Sequence, residues 1–182
     1  MHSSEDIIKF IQSDDWMMTL LTTLKSVDEP DCWIAAGAIR NPIWAHLHGV
    51  KFFPEKENDV DVIFYDSSDL SLSKEVAYET RLKSLVPSAN WEVRNQARMH
   101  LRNGDKPYRD CFNALEHWAE TPTAIGARLV SDKVELLVPY GVTDLLGLIV
   151  RQTPKFITKK QIYDDRIEEK QWRSKWPLLT II

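Results

Sequence analysis

The chain is short of cysteine, glycine, long apolar runs and positive charge, and each shortage removes a class of protein. Its two cysteines, Cys32 and Cys111, stand far apart in 182 residues and fit no zinc-ligand spacing. A reduced, cytoplasmic chain is therefore expected. No stretch approaches the roughly 20 apolar residues of a membrane span, so no membrane association is expected. The opening segment, Met1-His2-Ser3-Ser4-Glu5-Asp6, is acidic and has no basic region leading into an apolar one, which argues against a signal peptide. Lys and Arg number 23 against 27 Asp and Glu, a formal charge of −4. General nucleic-acid binding needs a basic excess and is not expected, although a local basic pocket for a phosphorylated ligand stays open. Neither a P-loop nor a Rossmann fingerprint is present among the six glycines, and there is no Ser-His-Asp grouping.

What remains is an ordinary globular composition, 43% hydrophobic and 27% charged. The length suits one domain over residues 1–182, with a helical N-terminal segment over 1–30 and a C-terminal helix over 156–176 packed on it. Seven tryptophans are expected to fill the core and groove walls. Ser3 or Ser4 can cap a helix whose apolar face is Ile7, Ile8, Phe10 and Ile11, and Asp14 or Asp15 a second with Trp16, Met17, Leu20, Leu21 and Leu24 on its buried side. Cys32 to Ala36 reads as a buried strand, Ala38 to His48 as a helix stopped by Gly49, and Lys51 to Asn58 as a loop. Val60, Val62 and Phe64 alternate with Asp59, Asp61 and Ile63, the period of a second strand. A helix over about Leu70 to Leu85, a strand over Trp91 to Asn95 and an Arg-rich loop from Gln96 to Arg109 follow. Asn103-Gly104 in that loop is a turn signal. Asp110 can cap a helix running to Trp118. Ala124–Val130 and Val134–Val138 read as strands, Thr143–Val150 as a short helix, and Thr158 as the cap of a last helix ending at Trp172.

The pair Asp59 and Asp61 carries the clearest chemistry. Residues two apart on a strand point to the same side, about 6.6 Å apart along it, so both carboxylates can converge on one hard cation. Magnesium takes oxygen ligands, often one or two carboxylates completed by substrate phosphates. The alternative is an acidic strand end that simply reaches solvent. Upstream, Ala35-Ala36-Gly37-Ala38-Ile39-Arg40-Asn41 runs from a strand through glycine into a helix. A helix N-terminus favours phosphate, and Gly37 allows close approach to the backbone. Arg40 and Asn41 lie one turn further, in reach of phosphate or sugar oxygens. In the run Asn95 to His100, Arg98 is a candidate for phosphate and His100 for a base, against the plainer reading of a hydrogen-bonded structural histidine. Thr121, Thr123 and Arg128 would contact base or ribose, or pair locally, and His46 and His48 would cap their helix.

Strand, Gly, helix, then a strand bearing D-x-D resembles the DNA polymerase β-like nucleotidyltransferase superfamily. Here Gly37 is followed by Ala38, where the superfamily motif has Gly or Ser. The segments CWIAAGAIRNPIWAHLHG, NDVDVIFYD, WEVRNQARMHLRNG, ETPTAIGARL and VPYGVTDLLGLIVRQTP, spanning about Asp31 to Trp176, are similar to a bacterial family of small nucleotidyltransferases in it. The resemblance implies an α/β (α+β) fold, a small mixed sheet flanked by helices. It implies transfer of a nucleoside monophosphate from an NTP to an acceptor bearing a hydroxyl or phosphate, with Mg²⁺ or Mn²⁺ as cofactor. Asp59 and Asp61 match the paired metal ligands, and Glu92 on the next strand is the candidate third acid. Gly37, Arg40, Asn41 and Arg98 are the candidate nucleotide-binding residues. The rival expectation is a non-catalytic module that keeps the cleft and binds a nucleotide or a partner.

Overall fold

The computed structural model describes residues 1–53 and 59–182; residues 54–58 of the expected Lys51–Asn58 loop lie outside the described residues. Two capped helices open the chain. Helix α1, Ser4–Gln12, has a reciprocal capping box between Ser3 and Asp6, and α2, Asp15–Lys25, starts where Asp14 accepts the Met17 N–H at 2.9 Å. Strand β1 is Cys32–Ala35, and α3, Gly37–His48, stops at Gly49 in the left-handed conformation (φ 66°). Strand β2, Asp59–Phe64, helix α4, Leu72–Leu85, and strand β3, Asn90–Asn95, form a crossover unit. Then come α5, Gln96–Asn103; α6, Cys111–Leu115; β4, Gly126–Val130; β5, Lys133–Leu137; and α7, Thr143–Leu146. The chain ends with β6, Ile149–Val150; α8, Lys160–Lys170; α9, Trp172–Lys175; and β7, Thr180–Ile181.

The fold class is the expected one, a five-stranded mixed sheet flanked by helices. Its order is β3-β2-β1-β4-β5, with β2 and β3 parallel and the other pairs antiparallel. Strand alternation sorts β2 between two cores. Val60, Val62 and Phe64 join the larger core with α1, α2 and α3, whereas Ile63 joins a smaller one with Trp33, Leu115 and Leu137 on the opposite side. No helix among the described residues is long and apolar enough to cross a membrane.

Four local expectations are corrected. Gln96–Asn103 is a helix, not a loop. Asn95 ends β3 and caps α5 through the Ala97 N–H at 3.0 Å, and Asn103-Gly104 is its C-terminal stop, Gly104 having φ 67°. The Thr143 helix ends at Leu146, and Val150 belongs to β6, paired in parallel with β7. Thr158 lies inside a 3₁₀ turn, Ile157–Lys159, so α8 begins at Lys160 without a side-chain cap. The final helix also breaks at Gln171 (φ 47°), which starts α9 in a new direction.

Candidate active site

The parallel register of β2 with β3 places Glu92 beside Asp61, and the antiparallel register of β1 places Ala35 on its other side. Asp59, Asp61 and Glu92 all line one cleft of about 760 Å³, together with Ala36 at the end of β1. Asp59 sits exposed at its mouth and accepts a hydrogen bond from the Asn90 amide. Asp61 is deeper. Burial pushes its carboxyl up to about 6, with Glu92 and Asp59 adding to the shift and Arg40 and Lys170 opposing it. Glu92 is held by Arg94 at 3.4 Å. Among the described residues no three His, Cys, Asp or Glu side chains gather tightly enough to cage a metal alone. The donors present are nevertheless all carboxylate oxygens, which suits a hard cation that brings phosphate ligands with it.

The same lining is also rich in cations. Arg102 of α5, Lys159, and Arg166 and Lys170 of α8 face the cleft, and with Arg94 they make five cations against the four acids Asp59, Asp61, Glu92 and Glu120. Helix α8 contributes a single stripe, Ile162, Arg166 and Lys170, four residues apart. The N-terminus of α3 follows Ala36 and has no side-chain cap; the Ile39 N–H turns back to the Ala36 carbonyl at 3.2 Å, and the Gly37 and Ala38 donors remain for a ligand. A ligand here meets mixed charge with a small positive excess, whatever the sign of the whole molecule.

Residues 22–181 match a family model described as nucleotidyltransferase. The chain belongs to this nucleotidyltransferase family. A solved NMR structure described as revealing a CCA-adding enzyme head domain is 34% identical, covering 98% of this chain and 95% of that one with a TM-score of 0.87. The Thermotoga maritima CCA-adding enzyme complexed with tRNA is 12% identical, covering 100% of this chain and 42% of its own at a TM-score of 0.58. A CCA-adding enzyme with ATP is 13% identical, covering 93% and 41%, at 0.53. These last two share the fold, and this chain spans less than half their length. No curated protein sequence matches it.

Thr123 lines the cleft as expected of a base- or ribose-contacting residue, but most of the other expected site residues stand outside it. Gly37 begins α3, but the unusual backbone belongs to Ala36 (φ 54°, ψ −127°), and it is Ala36 that lines the cleft. Arg40 is buried behind the cleft rather than lining it. Its guanidinium lies between the rings of Trp44 and Trp172, 4.8 and 4.7 Å from their centroids, and donates to Asn41 Oδ1 and Thr123 Oγ1 at 3.1 and 2.7 Å. Burial lowers its pKa to about 10, opposed by Glu120, so it stays cationic at neutral pH. Asn41 is buried as its acceptor. Arg98 turns away to Glu75 of α4 in a two-pronged pair at 2.6 and 2.7 Å, and the cleft takes Met99 and Arg102 from α5 in its place. His100 bonds the Ala97 carbonyl, Thr121 bonds Asp144, and Arg128 pairs with Glu135 over the Trp33 ring. His48 bridges the Trp44 carbonyl and the Leu178 N–H. Sequence reasoning passed over Arg102, Glu120, Arg166 and Lys170. The four-residue spacing of 162, 166 and 170 was the available signal for α8; Arg102 needed α5 to be seen as a helix.

Proposed function

We propose that this nucleotidyltransferase moves a nucleoside monophosphate from an NTP to an acceptor carrying a hydroxyl or phosphate, with Mg²⁺ or Mn²⁺ as cofactor. The observation that carries the reading is the opening of Asp59, Asp61 and Glu92 into one cleft whose lining also carries five cations. Asp59 and Asp61 would hold the cation, which supplies charge stabilisation at the reacting phosphate when bound. The uncapped N-terminus of α3 favours phosphate next to Ala36. Arg102 and Lys170 form no ion pair among the described residues, and their charge is available to a triphosphate. The acceptor oxygen forms a bond to the α-phosphorus as the bond to the β-phosphate oxygen breaks and pyrophosphate departs. Glu92, whose strand register sets it next to Asp61, would take the acceptor's proton.

The CTP, ATP and tRNA named for structural neighbours make NTPs and RNA the first donor and acceptor to try. The test is incubation with each α-labelled NTP, Mg²⁺ or Mn²⁺, and either RNA or a cell extract. Label joined to a product, with stoichiometric pyrophosphate, is expected. A non-catalytic binding module is the competing reading, favoured because no three acids among the described residues stand close enough to cage a metal; NTP binding with no pyrophosphate under any combination would establish it.

A further inference from the structure

Glu120 is fully buried, yet it lines the cleft. One of its oxygens accepts from Arg166 Nε at 2.5 Å, while the other has no hydrogen-bond partner. The pair is therefore joined through Nε alone and not through the parallel fork that would occupy both oxygens. The two Nη groups of Arg166 are left without a partner among the described residues, and the side chain is 35% exposed on the cleft-facing stripe of α8. Charge balance adds a second observation. Arg40 and Arg166 repel one another, and Glu120 is the foremost acid acting on Arg40, with Asp61 the next. Two guanidiniums thus share one committed carboxylate. Once Asp61 serves a metal, about one positive charge beside the cleft is uncompensated, in a setting where desolvation strengthens its pull on an anion.

We infer that Arg166 is a substrate-binding residue that receives phosphoryl oxygens in the cleft, and that Glu120 is the positioning residue that aims it. The anion's identity rests on the nucleotidyl-transfer reading. Glu120 fixes the guanidinium plane through Nε, and the Nη edge meets the ligand. Phosphoryl oxygens can come from the donor's triphosphate or from a single esterified phosphate, so inorganic pyrophosphate and a nucleoside monophosphate serve as separate probes.

The experiment is calorimetric titration of both probes, and of NTP, into the full chain and its variants. Arg166→Gln is expected to weaken at least one phosphate probe tenfold or more, with Arg166→Lys intermediate, because lysine keeps the charge and loses the planar edge. Glu120→Gln is expected to weaken the same probe several-fold. Its amide oxygen must serve Arg166 while the charge that anchors the guanidinium is lost. In the Arg166→Gln background, Glu120→Gln is expected to add less than a twofold change, which a purely structural role would not produce. Wild-type affinity for both probes in Arg166→Gln overturns the inference, and additive effects overturn the role of Glu120. If Glu120→Gln does not fold, the half-exposed Arg166 variants still decide the contact. Failure to release pyrophosphate from any NTP would sink the transferase reading separately, since the titrations need no turnover.

Discussion

A half-buried carboxylate beside two others is held at a cost that an incoming cation removes. Asp61 is in that position, its ionisation opposed by burial, Glu92 and Asp59. Asp61→Asn is expected to melt at a higher temperature than the parent without metal, because the near-isosteric amide relieves the repulsion. In Mg²⁺ and NTP the order should reverse. A ligand at 100 times its Kd adds about 2.7 kcal/mol to the folded state, and the variant should lose most of that gain. Melting curves with metal and nucleotide varied separately check this; equal gains in both proteins would remove Asp61 from the metal site. At this scale the carboxylates could be read from the sequence because strand period alone puts 59 and 61 on one side. The backbone irregularity could not. Gly37 looked like the special position, but the positive φ falls on Ala36, where the β1-to-α3 junction is pinned by the Ala36 N–H to the Ile125 carbonyl at 3.0 Å. That partner lies 89 residues away, beyond any local pattern.

Among the elements, those with strong periodicity and caps were legible: α1, α2, β1, β2 and the Gly49 stop of α3. Those fixed by distant partners were not. Helix α5 looked like a loop because its polar residues make no apolar stripe, and tertiary bonds hold it: Arg98 to Glu75 on one side, and its C-terminal Asn103 carbonyl to Lys159 at 2.8 Å on the other. Asp105, just past α5, also pairs with Lys159 at 2.6 Å and accepts the Tyr108 hydroxyl at 2.6 Å. Burial opposes the charge of Asp105, but the Lys159 and Tyr108 hydrogen bonds outweigh it and leave the carboxyl below its ordinary range. A carboxylate whose folded pKa is depressed adds stability above its unfolded pKa, near 4, and that stability disappears as pH falls through the folded value. Asp105→Asn should therefore be less stable than the parent at neutral pH, with the difference shrinking as the medium is taken below about pH 4. Denaturant midpoints measured at several pH values read this out; a difference that does not vary with pH would assign the effect to packing.

Across the whole molecule, net charge proved a poor guide to what a ligand meets. The sum of −4 conceals a set of cleft-lining cations drawn from β3, α5 and α8 and from the turn before α8, far apart in sequence and gathered only by topology. The overall acidity therefore does not exclude a nucleic-acid acceptor. The sheet class was readable from the order of elements, whereas the closing β6–β7 pair, which joins residues 149–150 to 180–181, gave no pattern longer than two residues.

The treatment of β3 has a consequence for how the protein behaves in a crowd. As the outermost strand it would offer a row of unpaired amides to any passing chain. Helix α4 closes that row with two glutamates. Glu75 accepts the Asn95 N–H at 2.8 Å while paired with Arg98, and Glu79 accepts the Val93 N–H at 3.4 Å. The sheet is terminated by side chains and is not left as a template. Glu75→Ala should cost about 1 to 3 kcal/mol by leaving the buried Asn95 N–H without its acceptor, and it should also uncover the margin of the sheet. Static light scattering across a dilution series is expected to show self-association in Glu75→Ala and none in Arg98→Ala, which keeps the glutamate on the strand. Equal scattering by the two variants would mean that lost stability, and not an opened margin, makes the chain adhere to its own copies.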